Sequence, residues 1–529
     1  MEDDQRMLLG PKGLIKRPEL VRVMIQALHC LGYSRTASKF ESESGISLEI
    51  PKDPESLAFD SLKSHILNGN WEASAKMLWK ANDLTDEARS KAMFLVLRSW
   101  MIECVSEGDL SSLTEIVHLQ KNDYQFTMSK SDMENLDYFV TRFEDYDMMD
   151  YSVDVISIPL CRKELVEYLK YVLPPEIKMT ERRLESLVET TIRAQINSCS
   201  YHNSADPISL LEDHCCCRDQ FPTETVQVLQ GHSDEVWFVK FSNNGKYLAS
   251  SSKDCRAMIW KVIEDHLELM HTLKGHEKPV SFVSWSPSDS MLLTCGQEEV
   301  IRLWNVDTGC CLRIFNEFGL TLSSCAWLPD EKGIFYGNIR PRKYIFMHKF
   351  DDNRIKSFSG GRKHMIRDFA LTPNGKYLII VSSDNDILIR NLETRGHSFL
   401  IEESAIVSIS ISEDSEFLIM NLNNQEIHIR DLNGIMTEPF NYRGHKLAGF
   451  VIHSCFGGYE SMFIASGSED SQVYIWKRRN EKPLEVLAGH LGTVNCVSWN
   501  PKMPEMLASA SDDCTVRIWG PKKPKRGGS

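Results

Sequence analysis

Four histidines in the second half of the chain have the neighbours that a general base needs. Each follows a glycine, and each is succeeded by an acidic side chain and then, six residues later, by a tryptophan. The sets are His232, Asp254 and Trp260; His276, Glu298 and Trp304; His445, Asp470 and Trp476; and His490, Asp513 and Trp519. A positioned histidine is the commonest catalytic base. The regular recurrence predicts buried structural networks instead, in which histidine, carboxylate, a strand serine and the indole N–H fix strand register.

A second group with chemical potential is the run His214-Cys215-Cys216-Cys217. Cysteine and histidine are the usual ligands of zinc. Adjacent cysteines cannot all point at one tetrahedral ion, and the sequence has no paired Cys-x-x-Cys motif elsewhere. We therefore expect no metal and no cofactor. The sequence also has no Gly-rich phosphate loop, His-Glu-x-x-His or Gly-x-Ser-x-Gly motif, so we expect no catalytic residues and no enzyme activity.

The elements that would position these histidines are short strands that repeat along the chain. The separation from histidine to tryptophan is 28, 28, 31 and 29 residues in the four units, and alternating runs broken by turn residues fill each unit. Gly275 and Gly444 are 169 residues apart, which is four periods of about 42 residues. Three weaker units, at 322–348, 366–390 and 406–430, fill the gap. The sequence therefore predicts seven units.

The spacing of Gly-His, turn acid and Ile/Leu-Trp resembles that of a WD-repeat β-propeller, which implies seven four-stranded blades over residues 225–520. The segment Glu224–Leu229 alternates, and we expect it to pair into the last blade and close the ring, because an unpaired edge would otherwise remain. Residues 521–529 are predicted to be a basic flexible tail. Its Lys/Arg cluster is either a nuclear-import signal or a solubilising end.

The N-terminal part has the apolar period of helices. Leu31-Gly32-Tyr33, Ala37, Phe40 and Glu43 resemble a LisH motif over residues 18–50. The resemblance implies a dimerisation hairpin that uses Leu20, Val23, Leu28, Leu31, Tyr33 and Phe40. The alternative is a hairpin that packs on the helices that follow it in the same chain.

The next segments resemble a CTLH helical domain at 54–112 and a CRA-like continuation at 113–205. The phrases Ile66-Leu67-Asn68-Gly69-Asn70-Trp71 and Leu173-Pro174-Pro175-Glu176 carry these resemblances. An acidic and aromatic run at 144–154 is either a solvated loop or a docking segment for a basic partner. We predict a polar linker at 206–224. The fold class is thus multidomain, with an α-helical module followed by an all-β propeller.

Composition limits the partners and the location. The chain has 529 residues, a formal net charge of −14 and 15 cysteines. The acidic balance argues against sequence-independent binding of nucleic acid. The N-terminus has no apolar signal core, and no run of 18 apolar residues is present, so we expect no membrane span. We expect a protein of the cytoplasm and nucleus with reduced thiols.

The order of LisH, CTLH, CRA-like module and propeller is similar over residues 20–520 to the WD-repeat-protein-twenty-six family. The likeness is closest at 452–476 and 494–501. The family is the WD-repeat subunit of the GID/CTLH ubiquitin ligase. The resemblance implies a non-catalytic scaffold that forms a homodimer or higher oligomer, binds other LisH-CTLH and RING subunits, and recruits protein substrates.

Three other classes share parts of this architecture. Transcriptional corepressors of the LisH-CTLH type have two propellers, whereas this chain has room for one. LisH-propeller dynein regulators lack a CTLH domain. Receptors of cullin ligases favour a Trp-Asp-x-Arg box, from which Trp260-Lys261, Trp304-Asn305 and Trp476-Lys477 depart. The corepressor type is the main alternative.

Alignment of the units places one set of side chains near one face of the propeller, at the start of an inner strand or beside a turn acid. The predicted partner-binding residues are Glu235, Trp237, Lys253, Arg367, Phe450 and Asn495, with Gln297, Asn423, Glu469 and Asp512 in equivalent places. Trp237, Arg367 and Phe450 have the chemistry of interface anchors. Local packing would explain each of them equally well. The sequence does not identify the substrate or the size of the assembly.

Overall fold

The computed structural model describes most of both halves of the chain. The described residues are 8–9, 15–46, 59–81, 84–107, 158–174, 182–298, 300–316, 322–338, 344–350, 355–359, 366–382, 385–394, 396–432 and 439–522. The chain divides into two compact units, residues 1–193 and residues 194–529. The predicted acidic run at 144–154 and almost all of the predicted basic tail lie outside the described residues.

Seven α-helices are described, and all of them begin in the first unit. They are α1 Arg17–Cys30, α2 Ser34–Ser44, α3 Phe59–Leu67, α4 Trp71–Lys80, α5 Asp86–Glu107, α6 Ile158–Val172 and α7 Arg183–Ser198. A two-residue antiparallel pair, Leu8–Leu9 with Ile15–Lys16, precedes α1. None of the described helices is long and apolar enough to cross a membrane.

The first two helices form a hairpin with a very small core. Val21, Ile25 and Ala37 are buried between them, and Leu28 and Phe40 pack at the edge of this cluster. The hairpin ends at a Gly45 with a φ of 68°, a left-handed conformation that suits glycine. Of the predicted dimerisation side chains, only Leu28 and Phe40 contact this core. Leu20 and Val23 are partly exposed, and Leu31 and Tyr33 are 63% and 60% exposed.

Helices α3 to α6 share one apolar core. The buried residues of this core run from Phe59 to Cys104 and continue at Leu165, Val166, Leu169 and Leu173. The Arg162 guanidinium of α6 forms an ion pair with Glu103 of α5 and donates to the Leu67 carbonyl at 3.2 Å. Helix α6, which lies within the predicted CRA-like segment, is therefore packed into the same core as the predicted CTLH helices.

The second unit consists of seven four-stranded antiparallel sheets, which are the blades of a β-propeller. Blades 1 and 2 are formed by Val236–Phe241, Tyr247–Ser252, Arg256–Ile263 and His266–Lys274, and by Val280–Trp285, Met291–Gly296, Val300–Asn305 and Cys311–Asn316. Blades 3 and 4 are formed by Leu322–Trp327, Gly333–Asn338, Tyr344–Lys349 and Ile355–Ser359, and by Ile366–Leu371, Tyr377–Ser382, Asp386–Asn391 and His397–Ile401. Blades 5 and 6 are formed by Ile406–Ile411, Phe417–Leu422, Glu426–Asp431 and Phe440–Arg443, and by Ser454–Gly457, Phe463–Ser466, Gln472–Lys477 and Glu485–Ala488. The sequence prediction of seven blades, including the three weak ones, is confirmed.

The last blade is completed by a strand from the opposite end of the propeller sequence. Blade 7 contains Val494–Trp499, Leu507–Ser511 and Val516–Gly520, and its outer strand is Glu224–Leu229. The pairing is antiparallel, with Leu229 opposite Val516 and Thr225 opposite Trp519. The predicted closure of the ring by Glu224–Leu229 is confirmed.

A segment that we call the strap, residues 199–223, runs along blades 6 and 7 before the closing strand. Tyr201 and Arg218 both bind the Glu485 carboxylate, with the Tyr201 hydroxyl 2.8 Å from Oε1. Asn203 donates to the Pro504 carbonyl at 2.6 Å, and Phe221 is fully buried among blade side chains. The segment predicted as a polar linker, 206–224, is thus largely part of the second unit, because these polar and apolar anchors bind it to the blades.

Candidate functional site

The histidine networks of blades 1, 2 and 7 share one geometry. In blade 7, His490 Nδ1 is 2.8 Å from the Asp513 carboxylate, and His490 Nε2 is 2.8 Å from Ser509 Oγ. The Trp519 indole N–H donates to the same hydroxyl at 2.8 Å. The matching sets are His232, Asp254, Ser250 and Trp260 in blade 1, and His276, Glu298, Thr294 and Trp304 in blade 2.

The same atoms in an open cleft would form a nucleophilic triad of serine, histidine and aspartate. Their burial excludes this chemistry. The side chains of His490 and His232 are 0% and 2% exposed, and the residues Ser509 and Ser250 are 0% exposed. Burial alone would raise the pKa of Asp513, but its hydrogen bonds from His490, Thr515 and the backbone lower it overall. No substrate atom can reach these hydroxyl groups, so the networks hold strands together.

Blade 6 lacks the predicted network. Both ring nitrogens of His445 are buried without a hydrogen-bond partner among the described residues. The Tyr474 hydroxyl donates a hydrogen bond to the Asp470 carboxylate at 2.9 Å, and the Trp476 indole N–H donates to the Arg443 carbonyl at 3.1 Å. The Ser466 hydroxyl turns to the neighbouring Gly467 carbonyl. The prediction that His445, Asp470 and Trp476 form the common network is therefore wrong, because Tyr474 and not His445 binds the Asp470 carboxylate.

A cavity of about 1040 Å³ lies on the propeller where several inner strands begin. Five of the six predicted partner-binding residues line it, as do three of the four residues in equivalent places. The predicted residues at the cavity are Glu235, Trp237, Arg367, Phe450, Asn495, Gln297, Asn423 and Asp512. Their role in binding a partner remains a prediction.

One side of the cavity is built by blades 1 and 7. Trp237 donates its indole N–H to Glu235 at 2.9 Å, and the Lys253 ammonium is 2.8 Å from the same carboxylate. Lys253 does not line the cavity but fixes a residue that does. Asn495 donates to Asp512 at 2.7 Å and to a blade 1 carbonyl at 3.0 Å, so it joins the two blades. This wall is therefore rigid and preorganised.

The opposite side carries an exposed cation and a partly buried acid in adjacent positions. Arg367 is exposed and donates to the Ile406 carbonyl at 3.3 Å. Asp368 accepts hydrogen bonds from the backbone N–H groups of Phe369 and Ile409, yet burial raises its pKa to about 6. With Glu235 and Asp512, the cavity has three lining carboxyl groups and one lining guanidinium. Its charge therefore favours a partner with basic side chains.

The third part of the rim is a loop that precedes the inner strand of blade 6. Glu469 accepts three consecutive backbone N–H groups, from Ala448, Gly449 and Phe450, at 2.7, 2.8 and 3.0 Å. Burial would raise the pKa of Glu469, but these hydrogen bonds lower it. The loop is thus held in one shape while the Phe450 and Val451 side chains remain 53% and 57% exposed. Glu469 holds the loop through these hydrogen bonds but does not itself line the cavity.

Sequence reasoning missed several lining residues, among them Leu447, Val451, His453 and Asp368. One signal was available for the loop residues. The separation from His445 to Trp476 is 31 residues, two or three more than in the other units, and the extra residues form the loop at the rim. His453 and Asp368 gave no such signal, since burial between blades, which holds the pKa of His453 down at about 4, cannot be read from spacing.

A separate cluster of potential metal ligands lies at the start of the strap. Cys199, His214 and Cys216 place their ligand atoms within 4.8 Å of one another, and His202 Nδ1 is 2.9 Å from His214 Nε2. The expectation of no metal considered only the run at 214–217. The structure brings Cys199 and His202 to that run.

Comparison with known proteins agrees with this architecture. The profile of the WDR26 Lis-homology domain matches residues 7–50, and that of the WD domain, G-beta repeat, matches residues 223–261, 267–305, 437–477 and 481–520. An Arabidopsis thaliana protein named WD repeat-containing protein WDS homolog is 48% identical over 99% of this chain and 99% of its own length. A second, WD repeat-containing protein 26 homolog, is 40% identical over 97% of this chain and 86% of its own length. The chain belongs to the WD repeat-containing protein 26 family.

Other relatives of the family extend beyond plants. A Schizosaccharomyces pombe protein named GID complex subunit 7 is 33% identical over 96% of this chain and 98% of its own length. The four matched WD repeats correspond to blades 1, 2, 6 and 7, which carry the Gly-His and Trp signature. Blades 3 to 5 are defined by the structure. No catalytic family is among the matches to domain profiles.

Proposed function

We propose that this protein is the WD-repeat subunit of a GID/CTLH-type ubiquitin ligase and acts there as a non-catalytic scaffold. The observation that carries the proposal is the end-to-end similarity to the S. pombe protein named GID complex subunit 7. The helical unit is the part that joins other LisH-CTLH and RING subunits. Ubiquitin transfer takes place on the RING subunits, in the cytoplasm and nucleus.

The propeller cavity is the part that recruits a protein partner. Its mouth combines an exposed aromatic side chain, Phe450, with a fixed indole, Trp237, and three carboxyl groups. Tryptophan and arginine, both present here as Trp237 and Arg367, are enriched among binding hot spots. The partner segment that fits this surface is an extended peptide with at least one lysine or arginine next to an apolar residue.

Affinity purification of the tagged full-length protein, followed by mass spectrometry, tests the assembly. Recovery of RING and LisH-CTLH proteins in comparable amounts supports the proposal. Recovery of histone deacetylases without RING proteins would favour the corepressor alternative, and recovery of dynein would contradict both.

A matched pair of variants tests the cavity. Phe450 at the mouth and Phe399 on the outer strand of blade 4 are both 53% exposed. We expect Phe450→Ala to reduce recovery of substrate proteins roughly tenfold, as for loss of an interface anchor, while RING subunits are retained. Phe399→Ala should leave both unchanged. Equal losses in the two variants would show that the cavity is not the recruiting surface.

A further inference from the structure

The end of helix α7 and the strap bring two cysteines and two histidines together from separate parts of the sequence. Cys199 follows the last turn of α7 and is 9% exposed, and His202, three residues later, is 2% exposed. His214 and Cys216 return to the same place after the intervening loop, residues 203–213. These four residues, which we call the Cys/His cluster, therefore form two short pairs, as in zinc sites built from two segments.

The donor atoms of His202, His214 and Cys216 are 2.9–3.7 Å apart, which is close to the spacing of a tetrahedral ligand set. His202 Nδ1 and His214 Nε2 are 2.9 Å apart, and Cys216 Sγ is 3.2 Å from His214 Nε2 and 3.7 Å from His202 Nδ1. Cys199 Sγ lies within 4.8 Å of the His214 and Cys216 ligand atoms. A tetrahedral zinc ion with Zn–S and Zn–N bonds of about 2.3 and 2.0 Å separates its donors by roughly 3.3–3.8 Å.

Side chains of the second unit hold the ligands in place. The Lys477 ammonium of blade 6 binds the backbone carbonyls of Ile196, Asn197 and Cys199 and so fixes the end of α7. Gln195 donates to the Asp213 carboxylate at 3.0 Å and accepts the His214 backbone N–H at 3.2 Å. Both halves of the cluster are thus positioned from the same helix end, as metal sites require of their supporting groups.

A backbone contact joins the two halves of the cluster. The Cys216 N–H donates to Cys199 Sγ at 3.3 Å. Two thiolates and two neutral imidazoles around a divalent cation have no net charge, which suits a partly buried place.

The neighbouring cysteines explain why the run at 214–217 is misleading in sequence. Cys215 and Cys217 are exposed, whereas His214 and Cys216 are partly buried, so the side chains alternate. Only one of the three adjacent cysteines points into the cluster. The other two side chains of the cluster, Cys199 and His202, come from outside the run.

We propose that Cys199, His202, His214 and Cys216 bind one Zn²⁺ as a structural site that closes the 203–213 loop against blades 6 and 7. Four protein ligands leave no open coordination position, so the site is structural and not catalytic. The strap leads directly into the closing strand of the ring. Metal binding therefore stabilises the seam of the propeller, where Glu224–Leu229 pairs with Val516–Gly520. This role is independent of which complex the protein joins.

Metal analysis of the full-length protein, purified without chelators, tests the site. We expect one equivalent of zinc per chain by inductively coupled plasma mass spectrometry, and a roughly tenfold or greater loss in Cys216→Ser, since a ligand contributes at least as much as its supporting groups. Cys215→Ser and Cys217→Ser are matched controls that should retain the full equivalent. Retention of zinc by Cys216→Ser, or its absence from wild type after incubation with Zn²⁺, would overturn the proposal.

A measurement on the wild-type chain avoids the risk that a variant fails to fold. Substitution with Co²⁺ should give the charge-transfer and d–d absorption of a tetrahedral site with two thiolates. Alkylation should modify Cys215 and Cys217 at once, and Cys199 and Cys216 only after a chelator is added. Octahedral Co²⁺ absorption, or equally rapid alkylation of Cys216 and Cys217 without chelator, would show that the cluster is only a set of hydrogen-bonded side chains.

Discussion

The hydroxyl of Ser509 is shared by two nitrogen atoms, His490 Nε2 and Trp519 Nε1, each 2.8 Å away. Its removal leaves both without a partner inside a blade, where an unsatisfied polar group costs about 1–3 kcal/mol. We therefore expect Ser509→Ala to lower the free energy of unfolding of the propeller by about 2 kcal/mol or more, as measured by urea denaturation.

Ser466 in blade 6 provides the control for this experiment. It is the equivalent serine and is equally buried, but its hydroxyl donates only to the Gly467 carbonyl. Ser466→Ala should cost less than about 1 kcal/mol, because no other side chain loses a partner. Equal costs for the two variants would mean that the shared hydroxyl contributes nothing beyond its packing.

His445 is expected to make the stability of blade 6 depend on pH. Burial lowers the pKa of His445 from 6.5 to about 4. Between pH 4 and 6.5 the unfolded chain binds a proton that the folded chain does not, so this contribution to stability is lost as the pH falls through that range. We expect His445→Leu to be about as stable as wild type at pH 7.5 and more stable at pH 5, as measured by denaturation at the two pH values.

The result for His490→Leu should be different. His490 is held by Asp513 and Ser509, so its removal breaks a complete network and should destabilise the propeller already at pH 7.5. A gain in stability for His490→Leu, or a larger loss for His445→Leu than for His490→Leu, would contradict this distinction.

The sequence predicted these two histidines to be alike, and the reason for the difference is local. Spacing identifies which residues face each other across a blade, and it was sufficient to predict the hydrogen-bonded networks of His232, His276 and His490. Spacing cannot show that the Tyr474 hydroxyl, and not His445, binds the Asp470 carboxylate. The sequence did not predict the Cys/His cluster, because no periodic pattern shows the path of the loop between His202 and His214.

The strand Glu224–Leu229 determines whether the propeller is a closed ring. Leu229 is 4% exposed and packs between blades 1 and 7, whereas Val228 is 37% exposed on the other face of the same strand. Leu229→Asp places a charge in the core at the seam, which should cost about 3 kcal/mol or more. Native-state hydrogen exchange should then show loss of protection in both blade 7 and blade 1.

Val228→Asp is the matched variant, because it adds the same charge on the exposed face. We expect a change in the unfolding free energy within about 1 kcal/mol and an unaltered exchange pattern. If Leu229→Asp increased exchange in blade 7 alone, the ring would not unfold from its seam.

The weak blades show what a repeat pattern leaves out. Blade 5 lacks the Gly-His and Trp signature, and the sequence predicted it from the repeat period, the alternation of its strands and Asn424 at the turn position. The structure adds a network in which the Glu402 carboxylate binds His428 at 3.0 Å and Arg430 at 2.7 Å. Glu426, on the same strand as His428, also contacts its ring. Blade 4 has Arg390 at the place of Arg430 but Leu388 at the place of His428, so comparison between repeats could not reveal this network.

At the scale of the whole molecule, self-association is the prediction that the sequence makes from the LisH resemblance. Leu31 and Tyr33 are large apolar side chains that are exposed on the described hairpin. We expect the purified protein to have at least twice the chain mass of 60.6 kDa by light scattering. Leu31→Asp combined with Tyr33→Asp should reduce the mass, since burial of two unpaired charges opposes association.

Tyr171 provides the control for association, because it is 88% exposed on α6 of the same unit. Tyr171→Asp should leave the native mass unchanged. A mass that is unchanged in the Leu31 and Tyr33 variant as well would favour the alternative, in which the hairpin does not mediate association.

The order of the domains was the part that the sequence predicted best. Seven blades, the helical module before them and the ring closure all follow from periods and spacing over long stretches. The docking of the strap on blades 6 and 7 did not follow, because its anchors, such as Asn203 and Phe221, are single residues in a polar stretch. A periodic pattern is supported by many residues, so it can be recognised even when some of them deviate. The docking of a segment depends on a few residues that form no pattern.

Ring closure also has a consequence for the synthesis of this protein. Thr225 and Arg517 contact each other across the seam but are 292 residues apart. At a translation rate of about 5–20 residues per second, the closing strand emerges from the ribosome on the order of 15–60 s before its partner exists. During that interval it is an unpaired edge that can join a strand of another nascent chain on the same messenger RNA. Chaperone binding to the nascent chain is therefore expected to peak after Leu229 and to end once Gly520 has been released.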